Sequence, residues 1–173
     1  MKTSVISSVL ALSALMFPSC AWAQKVDNTP VDNLELQRYL GTWYEIARFD
    51  HSFERGMEFT KTFYSLNDDG MLRVENSGYK NGKEKMSIGK AFIPNPENEP
   101  ALFRVAFFAS FYSDYRVLML SDDYQFALVG SGSPKYLWIL SRSPYMPDSD
   151  IEAVLIEAKR RGYDTNDLKW VMQ

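Results

Sequence analysis

Residues 41–48 of this chain read Gly41-Thr42-Trp43-Tyr44-Glu45-Ile46-Ala47-Arg48 and have the aromatic and β-branched content of a β-strand. Similar segments follow at short intervals, separated by turn sequences such as Lys80-Asn81-Gly82-Lys83. Strands joined by such short links pair as antiparallel hairpins, and eight of them close into a barrel without free edges. We therefore predict an all-β fold, a single eight-stranded antiparallel up-and-down β-barrel, with strands at 42–49, 58–66, 71–78, 85–93, 101–108, 114–120, 124–130 and 136–142.

A C-terminal α-helix and a short final strand are predicted after the eighth strand. The apolar residues of one helical face recur at i, i+3, i+4 and i+7: Ile151, Val154, Leu155 and Ala158. Ser149 and Glu152 have the spacing of a capping box, and Gly162 stands where a helix would end. The helix is expected to bury its apolar face against the outside of the barrel, and residues 168–172 form the final strand.

The composition excludes several classes of function. A net charge of −3 spread over 173 residues gives no basic stripe, so no nucleic-acid partner is expected. Cys20 is the only cysteine and His51 the only histidine, so the mature domain has no disulfide or thiolate cluster and a catalytic triad would need His51. A single histidine beside a strand end is typical of the surface. No catalytic residue, metal or cofactor is therefore predicted.

Residues 1–23 resemble a signal peptide. Lys2 precedes the apolar segment 5–17, and Ala21-Trp22-Ala23 forms a small-x-small cleavage sequence. In the alternative, Cys20 is the lipid-modified first residue of a lipoprotein. Both alternatives predict an exported protein, periplasmic or associated with the outer membrane. We assign residues 24–34 to an N-terminal linker and residues 35–173 to one barrel domain.

Two motifs carry a family resemblance. Residues 41–48 resemble the opening strand of lipocalins, and Leu137-Trp138-Ile139-Leu140-Ser141-Arg142 resembles the closing motif of that family. The resemblance covers residues 35–173 and is strongest to the bacterial outer-membrane lipocalins and apolipoprotein D. It implies that Gly41 opens the first strand, that Trp43 plugs the closed end of the barrel, and that Arg142 lies across its indole.

The resemblance also implies that the barrel binds a small hydrophobic ligand, such as a fatty acid or lysophospholipid, and carries it in the cell envelope. Alternate side chains of each strand face the lumen, and Trp43 sets this phase for the first strand. The predicted ligand-binding residues are Phe49, Thr62, Tyr64, Phe103, Val105, Phe107, Tyr115, Val117, Val129, Tyr136 and Trp138.

Other functions remain open from the residues. Small barrels can be filled by their own side chains, which would make this an envelope protein with no saturable ligand. A lipocalin-fold enzyme, acting as an isomerase on a hydrophobic substrate, is the alternative in another class. Its one inward acidic candidate is Glu45.

Two loops are candidate contact regions. The link 50–57 contains an apolar Phe53 and either folds over an opening of the barrel or is an ordinary surface loop. Phe108, Phe111 and Tyr112 lie close together in an aromatic turn at one rim. They either pack locally or contact a membrane surface or a second subunit, which would make a homodimer.

Overall fold

The computed structural model describes residues 26–173, so the predictions of a signal peptide at 1–23 and of lipidation at Cys20 lie outside the described residues. The predicted eight-stranded barrel, C-terminal helix and short final strand are confirmed. The elements, in chain order, are α1 Leu36–Tyr39, β1 Gly41–Phe49, β2 Glu58–Leu66, β3 Leu72–Lys80, β4 Lys83–Phe92, β5 Leu102–Ala106, β6 Ser113–Leu120, β7 Phe126–Gly130, β8 Leu137–Ser141, α2 Asp148–Arg160, a 3-10 helix Thr165–Asp167, and β9 Leu168–Trp170.

The sheet closes because β1 pairs on both of its sides. Consecutive strands from β2 to β8 pair in sequence order, and β1 joins β8 to β2. Only the first half of β1 pairs with β2, with Gly41 opposite Tyr64 and Tyr44 opposite Lys61. The second half pairs with β9, and the amide of Phe59 in β2 donates to the carbonyl of Met172 just after β9. The final strand therefore fills the gap that opens between β1 and β2.

A β-bulge changes the direction of the side chains in the middle of β1. The register of β1 against β8 shifts between Glu45 and Ala47. Trp43 and Glu45 face the lumen on one side of the bulge. On the other side Ala47 and Phe49 face outward, and Arg48 turns inward to contact Glu45. One extra residue in a strand reverses the alternation that follows it.

Helix α2 packs on the outer wall of the barrel. Val154 and Ala158 are fully buried and belong to an apolar cluster that includes Leu128 of β7 and Ile139 of β8. Burial of this stripe explains why a short amphipathic segment is helical here, since packing rather than propensity stabilises such helices.

The predicted capping box at the start of α2 is wrong. The helix begins at Asp148, directly after Pro147, and Ser149 lies inside its first turn. Proline has its φ already fixed near the helical value and needs no N–H partner, so it starts the helix without a side-chain cap. Asp148 and Asp150 place acidic groups beside the positive end of the helix dipole. The predicted end is correct, because the helix stops before Gly162.

Trp43 and a short helix close one end of the barrel. Trp43 is fully buried, and its indole Nε1 donates to the carbonyl of Tyr39 at 2.8 Å, at the last residue of α1. The central carbon of the Arg142 guanidinium lies 4.0 Å from the centroid of the Trp43 ring, a cation–π distance. The guanidinium also donates to the carbonyls of Arg38, Thr42 and Tyr124.

Gly41 allows this closure. Its φ is +92°, which side-chain-bearing residues rarely adopt, and a Cβ there would lie 3.3 Å from Arg142 Nη1. Residues 26–34, most of the predicted linker, run along the barrel beside this end. The amide of Val31 donates to Val117 and the amide of Asp27 donates to Arg161.

We expect Trp43→Ala and Arg142→Ala each to lower the free energy of unfolding by about 2–4 kcal/mol, through a cavity and through lost charge-assisted hydrogen bonds. Because the two side chains contact each other, the double variant should lose less than the sum of the two. Urea denaturation followed by circular dichroism measures all three values. Strictly additive losses would show that the stacking carries no energy.

Candidate ligand-binding site

The deep part of the lumen is filled with aromatic side chains. Tyr39, Trp43, Tyr64 and Phe103 are buried and in contact, and Tyr115 joins them. The Tyr115 hydroxyl lies 2.6 Å from that of Tyr39 and accepts a hydrogen bond from that of Tyr64 at 3.0 Å. Burial raises the pKa of all three phenols above the usual range, so they remain neutral hydrogen-bonding groups.

Five of the predicted ligand-binding residues form or adjoin this floor rather than an open wall. Tyr64, Phe103, Val117 and Val129 are buried, and Tyr115 is half-buried beside them. They form the floor of the lumen above the closed end.

The upper part of the lumen is accessible from the opposite end. Thr62 and Val105 face inward and are half-buried, and Ser87, also inward, is exposed. The pairing of β4 with β5 covers only Lys90–Phe92, which leaves the first part of β4 beside the mouth of the barrel. Solvent therefore reaches the inner face of β4 at Ser87, where β5 does not cover it.

Phe107 lies at the rim of this mouth and is 41% exposed. Its ring occupies the space over Gly89, where an added Cβ would meet Phe107 Cδ1 at 2.8 Å. Gly89 faces inward, opposite Val74, so Phe107 covers the inner surface of β4. The absence of a side chain at residue 89 thus creates the space for an aromatic ring.

The prediction that Phe49 faces the lumen is wrong. Its ring centroid lies 6.0 Å from that of Tyr163, edge to face, and it belongs to the cluster under α2. The bulge after Glu45 reverses the alternation of β1 and directs Phe49 outward, so Arg48 takes the inward position. Sequence periodicity carries no signal for a bulge of this kind.

The link 50–57 between β1 and β2, here called the lid loop, folds over inward-facing aromatic residues. Phe53 stacks on His51 with ring centroids 3.9 Å apart and lies 6.2 Å from Tyr136. His51 lies 5.3 Å from Trp138, and Tyr136 and Trp138 stack on each other at 5.9 Å. The prediction that His51 is a surface residue is wrong, since only 7% of it is exposed. The lid loop buries it.

A buried charged cluster connects the lid loop to the lumen wall. Arg48 Nη1 lies 2.5 Å from Glu45 Oε1, and Arg48 Nη2 donates to the lid-loop carbonyls of Glu54 and Met57 at 2.7 and 3.1 Å. Trp138 Nε1 donates to Glu54 Oε2 at 3.1 Å, and His51 Nε2 lies 3.1 Å from the same oxygen. We call Glu45, Arg48, His51, Glu54 and Trp138 the mouth cluster.

The protonation of Glu45 depends on this cluster. The pKa of the Glu45 carboxyl is raised to about 8, first by burial and then by the negative charge of Glu54, against the opposing effect of Arg48. A carboxyl with such a pKa is largely protonated at neutral pH. The cluster then contains one guanidinium and the single carboxylate of Glu54.

Arg48 and Glu54 were not predicted to face the lumen. The predicted alternation places Ala47 and Phe49 inward and Arg48 outward, and the bulge reverses these directions. Glu54 comes from a loop, where no periodicity indicates direction. The only available signal was Phe53 in the same loop, an apolar residue among polar ones.

The aromatic turn at 107–112 projects from the same end of the barrel. Phe108 and Phe111 are each 77% exposed and stack on each other with ring centroids 6.4 Å apart. Tyr112 packs instead against Phe92, at 5.2 Å. Two large apolar side chains are therefore presented to solvent beside the mouth.

Neither a metal site nor a membrane-spanning helix is found within residues 26–173. No group of three His, Cys, Asp or Glu side chains is arranged there to hold a metal ion. No helix in that range is long and apolar enough to cross a bilayer.

The chain belongs to the lipocalin-like family, whose domain model, the Lipocalin-like domain, matches residues 34–173. Among its relatives, the outer membrane lipoprotein Blc of Escherichia coli (strain K12) is 47% identical over 147 residues, covering 84% of this chain and 82% of that protein. Temperature-induced lipocalin-1 of Arabidopsis thaliana is 36% identical, covering 84% and 82%. Apolipoprotein D of Rattus norvegicus is 35% identical, covering 73% and 71%.

Solved structures agree in fold. Insecticyanin from Manduca sexta superposes with a TM-score of 0.70 at 22% identity, over 85% of each chain. Apocrustacyanin C1 superposes with a TM-score of 0.67 at 22% identity, over 80% of this chain and 79% of that one. At this level of identity the likeness concerns the barrel alone.

We expect the stability of the protein to fall as the pH rises through about 8, because a carboxyl with a raised folded pKa stabilises the fold only while protonated. Its contribution is complete below the ordinary glutamate pKa of about 4.3 and is lost above the folded value. Glu45→Gln should flatten the decline in unfolding free energy between about pH 5 and about pH 9. Glu58→Gln, at an exposed position of β2, is the matched control. Equal pH dependence in both variants would contradict the assignment.

Proposed function

We propose that this protein binds a small hydrophobic ligand, a fatty acid or lysophospholipid, in the barrel and carries it in the cell envelope. The observation that supports this most directly is the difference between the two ends of the lumen. Trp43 and Tyr39 fill the closed end, whereas Ser87 and Phe107 are inward or rim residues exposed at the other. A barrel that is closed at one end and open at the other suits a long ligand that enters by the open end.

The lining supports an amphiphile in particular. Val105, Phe107 and Trp138 offer apolar surface, on which each buried methylene of an acyl chain contributes about 0.8 kcal/mol. Thr62 and Tyr136 add hydroxyl groups, and the mouth cluster adds charged groups near the entrance. The tail is therefore expected to lie deep and the head group at the mouth.

Export to the envelope follows from the sequence and is supported by the relatives. The name outer membrane lipoprotein, carried by relatives from Escherichia coli and Vibrio cholerae, favours lipidation at Cys20 over cleavage after Ala23. The mass of the mature N terminus, measured on protein from membrane and periplasmic fractions, separates these two alternatives.

We also propose that the protein is not an enzyme. Glu45 accepts a hydrogen bond from Arg48 at 2.5 Å and is buried, which suits a structural role more than a group that meets substrate. The names of the family members above denote lipocalins and lipoproteins and specify no reaction.

Protein purified from its host is expected to carry a stoichiometric lipid, detected by native mass spectrometry and identified after extraction.

Ser87→Trp, which places an indole in the accessible lumen, should weaken fatty-acid binding about tenfold or more through steric overlap with the ligand. Ile88→Trp adds the same group to the outer face of the same strand and should change affinity little. An empty protein that also fails to bind fluorescent fatty acids would support a filled barrel instead.

We further propose that the mouth contacts a membrane surface containing anionic lipids. Phe108 and Phe111 are suited to insertion among lipid head groups, and the β3–β4 hairpin at the same end carries exposed Lys83 and Lys85. This placement would let a lipid pass between bilayer and lumen without crossing water.

Phe108→Asp and Phe111→Asp should each reduce flotation with anionic phosphatidylglycerol vesicles several-fold, because a charge replaces an inserting ring. Phe63→Asp, on the exposed outer face of β2, should float like the parent protein. Unchanged flotation with a later elution from gel filtration would assign the aromatic pair to a homodimer.

A further inference from the structure

Glu54 is a residue of the lid loop, but its side chain lies against the lumen wall formed by β8. Its side chain extends from the lid loop to Trp138, whose indole Nε1 donates to Glu54 Oε2 at 3.1 Å. Only 15% of the Glu54 side chain is exposed. A carboxylate of the lid thus covers a donor of the lumen wall at the point where the head group of a ligand would lie.

The mouth cluster has more hydrogen-bonding capacity than its own residues use. Arg48 Nε and both ring nitrogens of His51 are inaccessible to solvent and have no hydrogen-bond partner. His51 Nε2 lies near the Glu54 carboxylate without forming a hydrogen bond to it. Arg48 and His51 are each more than nine-tenths buried. Buried polar groups without partners are costly, so these positions favour an additional acceptor.

The mouth cluster contains two acidic side chains, Glu45 and Glu54, and one guanidinium, that of Arg48. Arg48 Nη1 donates to Glu45, and Arg48 Nη2 donates to two lid-loop carbonyls. If the lid loop opens, Arg48 Nη2 and Trp138 Nε1 are released together, while Glu45 stays on its strand. Arg48 and Trp138 are opposite each other in the pairing of β1 with β8, so the two released donors lie side by side on the lumen wall and can bind one anion.

We propose that Glu54 is an internal substitute for the anionic head group of the ligand. A carboxylate or phosphate at the end of an acyl chain displaces the Glu54 carboxylate from Trp138 and the Glu54 carbonyl from Arg48 as the lid loop opens. This inference rests on the proposed lipid-binding function and names the groups that recognise the head. It assigns selectivity to the mouth and affinity for the tail to the lumen below.

The first test compares oleic acid with oleyl alcohol, which share a tail and differ in charge. Binding is measured by displacement of the neutral probe N-phenylnaphthylamine, since Trp138 is itself altered below. Glu54→Ala removes the competing carboxylate and should tighten oleic acid about fivefold or more, because the open form is no longer opposed. Oleyl alcohol should change less than about twofold. Glu84→Ala removes an exposed carboxylate at the same end and is the charge-matched control.

The second test is a double-variant cycle with Trp138→Phe, which keeps the aromatic ring and removes the donor. In the parent protein its effect on oleic acid should be small, because Glu54 before binding and the ligand after binding use the same N–H. In the Glu54→Ala background it should weaken oleic acid about tenfold, the loss of a hydrogen bond to a charged acceptor. A merely structural role of Trp138 would give the same loss in both backgrounds and would overturn the proposal.

Lysophosphatidylethanolamine distinguishes the two sources of the anion. Tightening by Glu54→Ala for oleic acid alone assigns the site to carboxylates, and tightening for the lysolipid alone assigns it to phosphates. If both ligands and the alcohol bind but none responds to Glu54→Ala, the internal-substitute role is overturned and the carrier function stands. If no lipid binds any variant, the carrier function itself fails.

Discussion

The bulge in β1 between Glu45 and Ala47 is the constraint on which the rest of the structure depends. Before it, the strand sends Trp43 into the lumen to close the barrel. After it, Phe49 points outward to α2 and Arg48 points inward to the mouth. A regular strand would have placed Phe49 in the lumen and Arg48 under the helix, where a charge would have no partner. Because of one inserted residue, a single strand places Trp43 at the closed end, Phe49 in the apolar cluster under α2 and Arg48 at the mouth.

The two ends of the barrel are stabilised by arginines used in different ways. Arg142 stacks on Trp43 and donates to carbonyls of α1 and β1 at the closed end. Arg48 donates to carbonyls of a loop, so its contacts can be exchanged while the strands remain paired. The planar guanidinium suits both tasks because it has several donors in fixed directions. Rigidity at one end and exchangeable contacts at the other are what a one-mouthed carrier requires.

The mouth combines features that have separate physical roles. Lumen residues provide apolar area, the mouth cluster provides charge in a buried setting, and Phe108 and Phe111 present apolar surface to solvent. In the proposed function, their placement at one end couples the source of the ligand to its recognition. Burial strengthens the electrostatic part, since a charge pair withdrawn from water is weakly screened.

The sequence by itself determined the strand order, the turns and the trailing helix, because these depend on local pattern. The contact of Trp43 with Arg142 was implied by the resemblance of two motifs, about one hundred residues apart, to those of lipocalins. Tertiary structure alone decided the outward direction of Phe49, the burial of His51 and the entry of Glu54 into the lumen wall. A bulge and a loop have no period that a sequence can display, and their geometry follows from contacts with strands distant in the chain. The start of α2 directly after Pro147 was likewise not predicted, because the spacing of Ser149 and Glu152 indicated a capping box that the helix does not form.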